Sequence, residues 1–167
     1  AQQQTLVENV QTAIDTLGVE TDDKGWRAKA FLYCIEVRCP ETGWLVPLLP
    51  TRVVSSTRKV IAELVPDAAA KRYDILIRSG VSKEELGAAK KGTVHRDSRF
   101  SEAYLFHQLD GINHKTRIST LRGDYKKADG TTGNRLRPWE QDDFIPEPDD
   151  VFQERLYCIQ WMRPRED

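Results

Sequence analysis

Two apolar runs meet at Arg38-Cys39-Pro40-Glu41-Thr42-Gly43-Trp44, and this heptapeptide constrains the fold more than any other stretch. Its proline and glycine force a tight reversal between strand-like segments. A Cys-Pro-x-Cys-Gly knuckle at this spacing grips a structural zinc ion, the cysteines as ligands and the glycine letting the backbone turn around the metal. Thr42 stands in the place of the second cysteine. A hydroxyl is a poor zinc ligand, and a structural site wants four Cys or His donors. The expectation is a hairpin kept for its shape, without its metal.

Around that turn the patterning is α+β: antiparallel hairpins with a degenerate zinc-ribbon-like turn, an N-terminal helix and one short internal helix. Leu6, Val10, Ala13, Ile14 and Leu17 share one helical face, which is expected to pack on the sheet, and Gly18 ends the helix. Ala28–Arg38 alternates, with Phe31, Tyr33, Ile35 and Val37 on one side and Ala30, Leu32 and Cys34 on the other. Lys29 and Glu36 make the pattern mixed, so both faces are expected to be covered. Trp44–Leu49 completes the hairpin, with Pro47 at an edge or bulge. Lys59–Val65 and Tyr73–Arg78 read as strands around a turn at Pro66-Asp67. Ser82-Lys83-Glu84-Glu85 is a capping box that opens a short helix ending at Gly92. Ala103–Leu109 and His114–Leu121 read as strands joined by Asp110-Gly111-Ile112-Asn113. Arg155–Trp161 closes the fold as a strand, with a helix after Asp149-Asp150 as the alternative. The organisation is one domain over 1–167: helix 1–18, α+β core 26–121, extended polar segment 122–150, and closing strand 151–162.

Composition narrows the function. Among 167 residues, 25 Lys and Arg nearly balance 26 Asp and Glu, for a net charge of -1. No global basic field draws such a chain onto nucleic acid, so any DNA contact needs a local basic face. Cys34, Cys39 and Cys158 sit in apolar surroundings, which suits buried thiols in a reducing cytoplasm better than disulfides. No apolar run approaches a membrane span, and no segment of the sequence reads as a signal peptide, so none is expected. The only methionine is Met162, and the chain reads as a fragment of a larger protein.

Four segments carry a family resemblance: Tyr33 to Pro50 around the knuckle, Thr120-Leu121-Arg122-Gly123-Asp124-Tyr125, Asn134-Arg135-Leu136-Arg137-Pro138-Trp139-Glu140, and Asp150 to Trp161. In this order they resemble the middle of a family of large bacterial and archaeal adenine-specific DNA methylases that carry an uncharacterised N-terminal domain. The resemblance covers about Trp26 to Met162. In that family the region lies between the cofactor-binding glycine motif and the catalytic Asp/Asn-Pro-Pro-Tyr/Phe motif. Neither motif occurs here. The resemblance therefore implies a parent enzyme that uses S-adenosylmethionine, with the remaining methylase domains as partners and both motifs outside this chain.

No independent active site is expected within the chain. His95, His107 and His114 lie on three segments, with His107 and His114 facing each other across the Asp110–Asn113 turn. No serine or cysteine sits in a nucleophile elbow. Gly130-Thr131-Thr132-Gly133 lacks the strand-to-helix setting of a phosphate loop and reads as a turn. The nucleic-acid candidates are Arg122, Tyr125, Lys126, Lys127, Arg135, Arg137 and Trp139. The basic residues suit phosphates of double-stranded DNA and the aromatics suit an exposed base. The bland readings are a solvated basic face and an Arg137 guanidinium stacked on the Trp139 indole. Two functions follow: a target-recognition or accessory region of the methylase, or a structural module that braces its halves without touching DNA.

Overall fold

The computed structural model describes residues 2–97 and 102–163. Over these residues the architecture is α+β and mostly strands, with three helices and eleven strands. Helix α1 (Gln2–Leu17) is followed by β1 (Arg27–Arg38), β2 (Leu45–Leu48), β3 (Val53–Ser55), β4 (Val60–Asp67) and β5 (Arg72–Ser79). Then come α2 (Lys83–Ala89), β6 (Val94–Asp97), β7 (Glu102–Leu109), β8 (Ile112–Arg117) and α3 (Ile118–Arg122). Two short strands, β9 (Tyr125–Lys126) and β10 (Thr132–Gly133), precede β11 (Phe152–Met162).

The largest sheet has the order β11-β1-β2-β5-β4-β3, and β6-β7-β8 forms a second, three-stranded sheet. The chain divides into two compact units. One holds α1, the beginning of β1 and β11 from Leu156 on; the other runs from Cys34 to Arg155. Most pairings are antiparallel hairpins: β1 with β2, β4 with β5, and β7 with β8. The single Leu45–Arg72 pairing of β2 with β5 is parallel.

The capping box forms as the sequence implies. Glu85 N–H donates to Ser82 Oγ, and Ser82 N–H donates to the Glu85 carboxylate. Four local expectations change. The turn between β4 and β5 lies past Asp67, whose Oδ1 accepts from the amides of Ala69 and Ala70. Pro66 remains in strand, opposite Tyr73, beyond the reach of short β3, so its missing N–H breaks no ladder. The strand expected over His114–Leu121 stops at Arg117 and becomes α3, a second internal helix, because Gly123 (φ 65°) takes the left-handed closing position. Finally, the apolar face of α1 is not packed on a sheet: Leu6, Val10 and Leu17 are each at least half exposed.

Strand β1, expected to be covered on both faces, is covered on both only near its end, where Val37 joins the core. Phe31, Tyr33 and Ile35 are exposed, whereas Cys34 and Glu36 are buried. Glu36 tolerates burial because two guanidiniums hold it: Arg72 Nη2 at 2.8 Å from Oε2 and Arg155 Nη1 at 2.8 Å from Oε1. Arg155 also donates to the Tyr73 carbonyl at 2.6 Å. A buried carboxylate with both oxygens engaged avoids the cost of an unpaired charge.

The main core of the second unit is Val37, Cys39, Val46, Tyr73, Leu105 and Leu121, with Trp44, Ile118 and Phe152 against it. It joins the knuckle hairpin to β7 and α3. A smaller cluster of Ile61, Val81 and Ala89 seats α2.

Candidate nucleic-acid interface

Helix α3 positions the start of the candidate segment. Leu121 is buried in the core, and the backbone turns at Gly123, whose N–H donates to Thr120 O at 3.1 Å. Arg122 then folds onto Asp124, Nη2 to Oδ2 at 2.6 Å. The returning chain is tied at Arg135, whose N–H donates to Arg122 O at 2.9 Å. A Cβ at Gly123 would meet the Arg135 side chain at 3.0 Å, so the methylenes of Arg135 lie over bare backbone.

Between these ties β9 and β10 form a small hairpin, with Tyr125 opposite Gly133 and Lys126 opposite Thr132. Its loop closes through Lys127 N–H to Thr131 O and Gly130 N–H to Lys127 O. Asp129 Oδ1 accepts from the amide and hydroxyl of Thr131, which holds its carboxyl below the usual range. Gly133 is a second bare spot: a Cβ there would sit 2.9 Å from both the Tyr125 ring and the Lys127 stem. An aromatic ring and a cation therefore lie side by side on one face, and on the other Lys126 Nζ donates to Thr132 Oγ1. Among the described residues no carboxylate pairs with Lys126, Lys127 or Arg135.

Arg137 behaves differently from its sequence reading. Its Nε and Nη2 grip Asp150 at 3.0 and 2.9 Å, and Nη1 reaches Asp143 at 2.5 Å. Glu147 adds a looser contact at 3.7 Å. Its partners are carboxylates, where stacking on Trp139 was the alternative read from sequence. Arg137 draws the Asp150 carboxyl below its usual range, assisted by the Glu147 amide. For Asp143 the Glu140 amide leads and Arg137 follows. The clamp fixes the loop from 137 to 150 and holds Trp139, Phe144 and Ile145 out in solvent. A cleft of about 290 Å³ beside it is lined by Ile35, Leu136, Trp139, Val151 and Phe152.

Of the seven candidates, Tyr125, Lys126, Lys127 and Arg135 come together around the small hairpin. Arg122 and Arg137 are engaged by carboxylates, and Trp139 belongs to the clamped loop. The sequence signal for the clamp was Asp143, Glu147 and Asp150 following Arg137 within thirteen residues.

The knuckle packs beneath the β7–β8 hairpin. Gly43 N–H donates to Cys39 O and Cys39 N–H to Trp44 O, both at 2.8 Å, so the tight turn forms without a second cysteine. Trp44 N–H donates to Thr42 Oγ1 at 3.3 Å, and that oxygen lies 3.5 Å from His107 Nε2. Tyr73 donates its hydroxyl proton to Gln108 O at 2.9 Å and lies 3.1 Å from His107 Nδ1. This network assigns the proton of neutral His107 to Nδ1, donating to Tyr73, and leaves Nε2 to accept from Thr42. Burial pulls His107 down to about 4, with neighbouring His114 adding and Glu41 opposing. Burial pushes Tyr73 up to about 12 and the Cys34 thiol up to about 11. All three cysteines are buried free thiols. Among the described residues no group of three or more His, Cys, Asp or Glu is arranged to hold a metal ion, and no helix is long and apolar enough to cross a membrane.

No protein-family model, curated protein or solved structure matches the chain.

Proposed function

We propose that this chain is an accessory or target-recognition region of an adenine-specific DNA methyltransferase. Its parent would bind S-adenosylmethionine and carry the catalytic motif in the remaining methylase domains. The observation that supports DNA contact is the hairpin of Tyr125–Gly133, where an exposed ring and Lys127 flank a bare glycine and, among the described residues, no carboxylate pairs with Lys126 or Arg135. Basic side chains of this kind engage phosphates without sequence preference, and the ring offers a stacking surface to an extruded base.

The test is a duplex-DNA titration of the chain and of a Lys126→Ala/Lys127→Ala/Arg135→Ala variant at several salt concentrations. Affinity is expected to fall as salt rises, and the variant's log–log slope to be shallower by about 0.9 for each phosphate it no longer neutralises. No affinity at low salt, or an unchanged slope in a folded variant, would sink the reading.

A second reading is a module that braces the methylase halves without touching DNA. It is favoured by the Arg137 clamp, which holds Trp139, Phe144 and Ile145 exposed on an anchored loop. Apolar side chains presented this way suit a protein partner.

A further inference from the structure

A cleft of about 640 Å³ opens between the β4–β5 hairpin, the α2–β6 connection and the β7–β8 hairpin. Its volume is that of a small-ligand site. Its charge is one-sided: Arg52 and Lys91 line it, and none of the lining residues is an aspartate or glutamate. In a chain with slightly more acidic than basic residues, that local excess selects an anion.

The arginine of the cationic wall is preorganised. Arg52 Nε donates to Lys91 O at 3.1 Å and Nη2 to Ala88 O at 3.3 Å, which fixes the guanidinium and leaves its other N–H groups for a ligand. The backbone beside it is locked against Leu49: Thr93 N–H donates to Leu49 O at 2.7 Å, and Leu49 N–H donates to Thr93 Oγ1 at 2.8 Å. An arginine held this way would meet a phosphate with little ordering cost, with exposed Lys91 beside it. Elsewhere the lining offers rings and amides. His95 and Phe106 meet edge to face at 4.6 Å. Gln108 and Asn113 are a cross-strand pair, both exposed. Asparagine and glutamine amides match the N6 and N7 edge of adenine, and aromatic rings suit its face.

We infer that this cleft binds an adenine nucleotide, its phosphate on Arg52 and Lys91 and its base among Phe106, His95, Gln108 and Asn113. The nucleotide is either free or one unit of a single strand, since both present the same groups. The inference does not rest on the proposed function, because the hairpin of Tyr125–Gly133 contributes nothing to the cleft.

Calorimetric titration with adenosine 5′-monophosphate, adenosine, inorganic phosphate and a short oligodeoxyadenylate tests it. The monophosphate is expected to bind with a dissociation constant of about 1 mM or tighter, and adenosine and phosphate at least about tenfold more weakly. Lys91→Glu, at an exposed position, is expected to weaken the monophosphate by about tenfold or more. Asn113→Ala is expected to weaken the monophosphate and leave phosphate unchanged. An oligodeoxyadenylate that binds more tightly than the monophosphate assigns the site to a strand, and one that binds more weakly assigns it to a free nucleotide. No heat with the monophosphate overturns the inference. So does phosphate binding as tightly as the monophosphate, or unchanged affinity in a Lys91→Glu variant that melts like the parent. The Lys126→Ala/Lys127→Ala/Arg135→Ala variant should retain monophosphate binding, which separates this site from the hairpin.

Discussion

Thr42 Oγ1 lies 3.5 Å from Nε2 of His107, so the knuckle position that would carry a second metal ligand faces a neutral imidazole instead. The hydroxyl mediates between the turn and the β7–β8 hairpin: it accepts from Trp44 N–H and donates towards His107. What holds the knuckle in place is a chain of hydrogen bonds through Tyr73 to Gln108 O, backed by the core around Cys39.

That arrangement sets a pH dependence. The unfolded chain takes up a proton at the ordinary histidine value of 6.5, and folded His107 only near 4. Between those values the unfolded state holds more protons, so stability falls as pH drops from 6.5 to 4. Below the window the loss is complete, at most about 3 kcal/mol. Denaturant melts across this range should slope for the parent and flatten for His107→Gln. Equal slopes would remove His107 as the cause.

Glu36→Gln should be strongly destabilising. It takes the charge from between Arg72 and Arg155 and leaves two guanidiniums beside a neutral amide. Loss of one partner from a buried ionic cluster costs about 3 kcal/mol or somewhat more. A thermal or urea melt reads this directly, and a change below about 0.5 kcal/mol, the size of a surface substitution, would mean that solvent already screens the cluster.

Arg137→Ala should free the loop from 137 to 150 while sparing the core. Three carboxylates lose their common partner, and Asp143 and Asp150 then repel each other. Limited proteolysis should cut between Trp139 and Asp149 faster than in the parent, with the rest of the chain resistant. Equal cleavage rates would show that the amides at Glu140 and Glu147 hold the loop without the arginine.

Gly92→Ala should fail to fold or melt far below the parent. Its Cβ would lie 1.8 Å from Leu49 O, a backbone atom pinned by Thr93. A soluble variant with parental stability would require the α2–β6 connection to relax freely, which the Thr93 latch opposes.

The hairpins were legible because their signals are local: Pro40 to Gly43 for one turn, Asp110-Gly111 for the other, and Ser82 with Glu85 for the start of α2. Helix α1 was legible from its spacing, but its burial was not. Periodicity says which residues share a face and is silent on whether anything covers it. The same gap explains β1, where both faces were expected to be covered and Phe31, Tyr33 and Ile35 are exposed. The burial of Glu36 depends on Arg72 and Arg155 arriving from distant strands, which no local pattern announces. Helix α3 was hidden because it is only five residues long and follows β8 without a break: Ile118 and Leu121, three apart, share a helical face, but so short a run carries little periodicity. Of the candidate site, the basic composition was visible and the pairing was not. Arg137 resembles Lys127 in sequence, and three carboxylates make it part of the scaffold.

The knot at Glu36 also orders events during synthesis. A chain emerging N-terminus first presents this carboxylate before either partner, meets Arg72 36 residues later, and waits 119 residues for Arg155. Until then one carboxylate oxygen lacks its guanidinium and β11, which carries Arg155, is absent from the sheet. The ribosome would hold a partly zipped sheet while those 119 residues are made, which is when a nascent-chain chaperone has something to recognise.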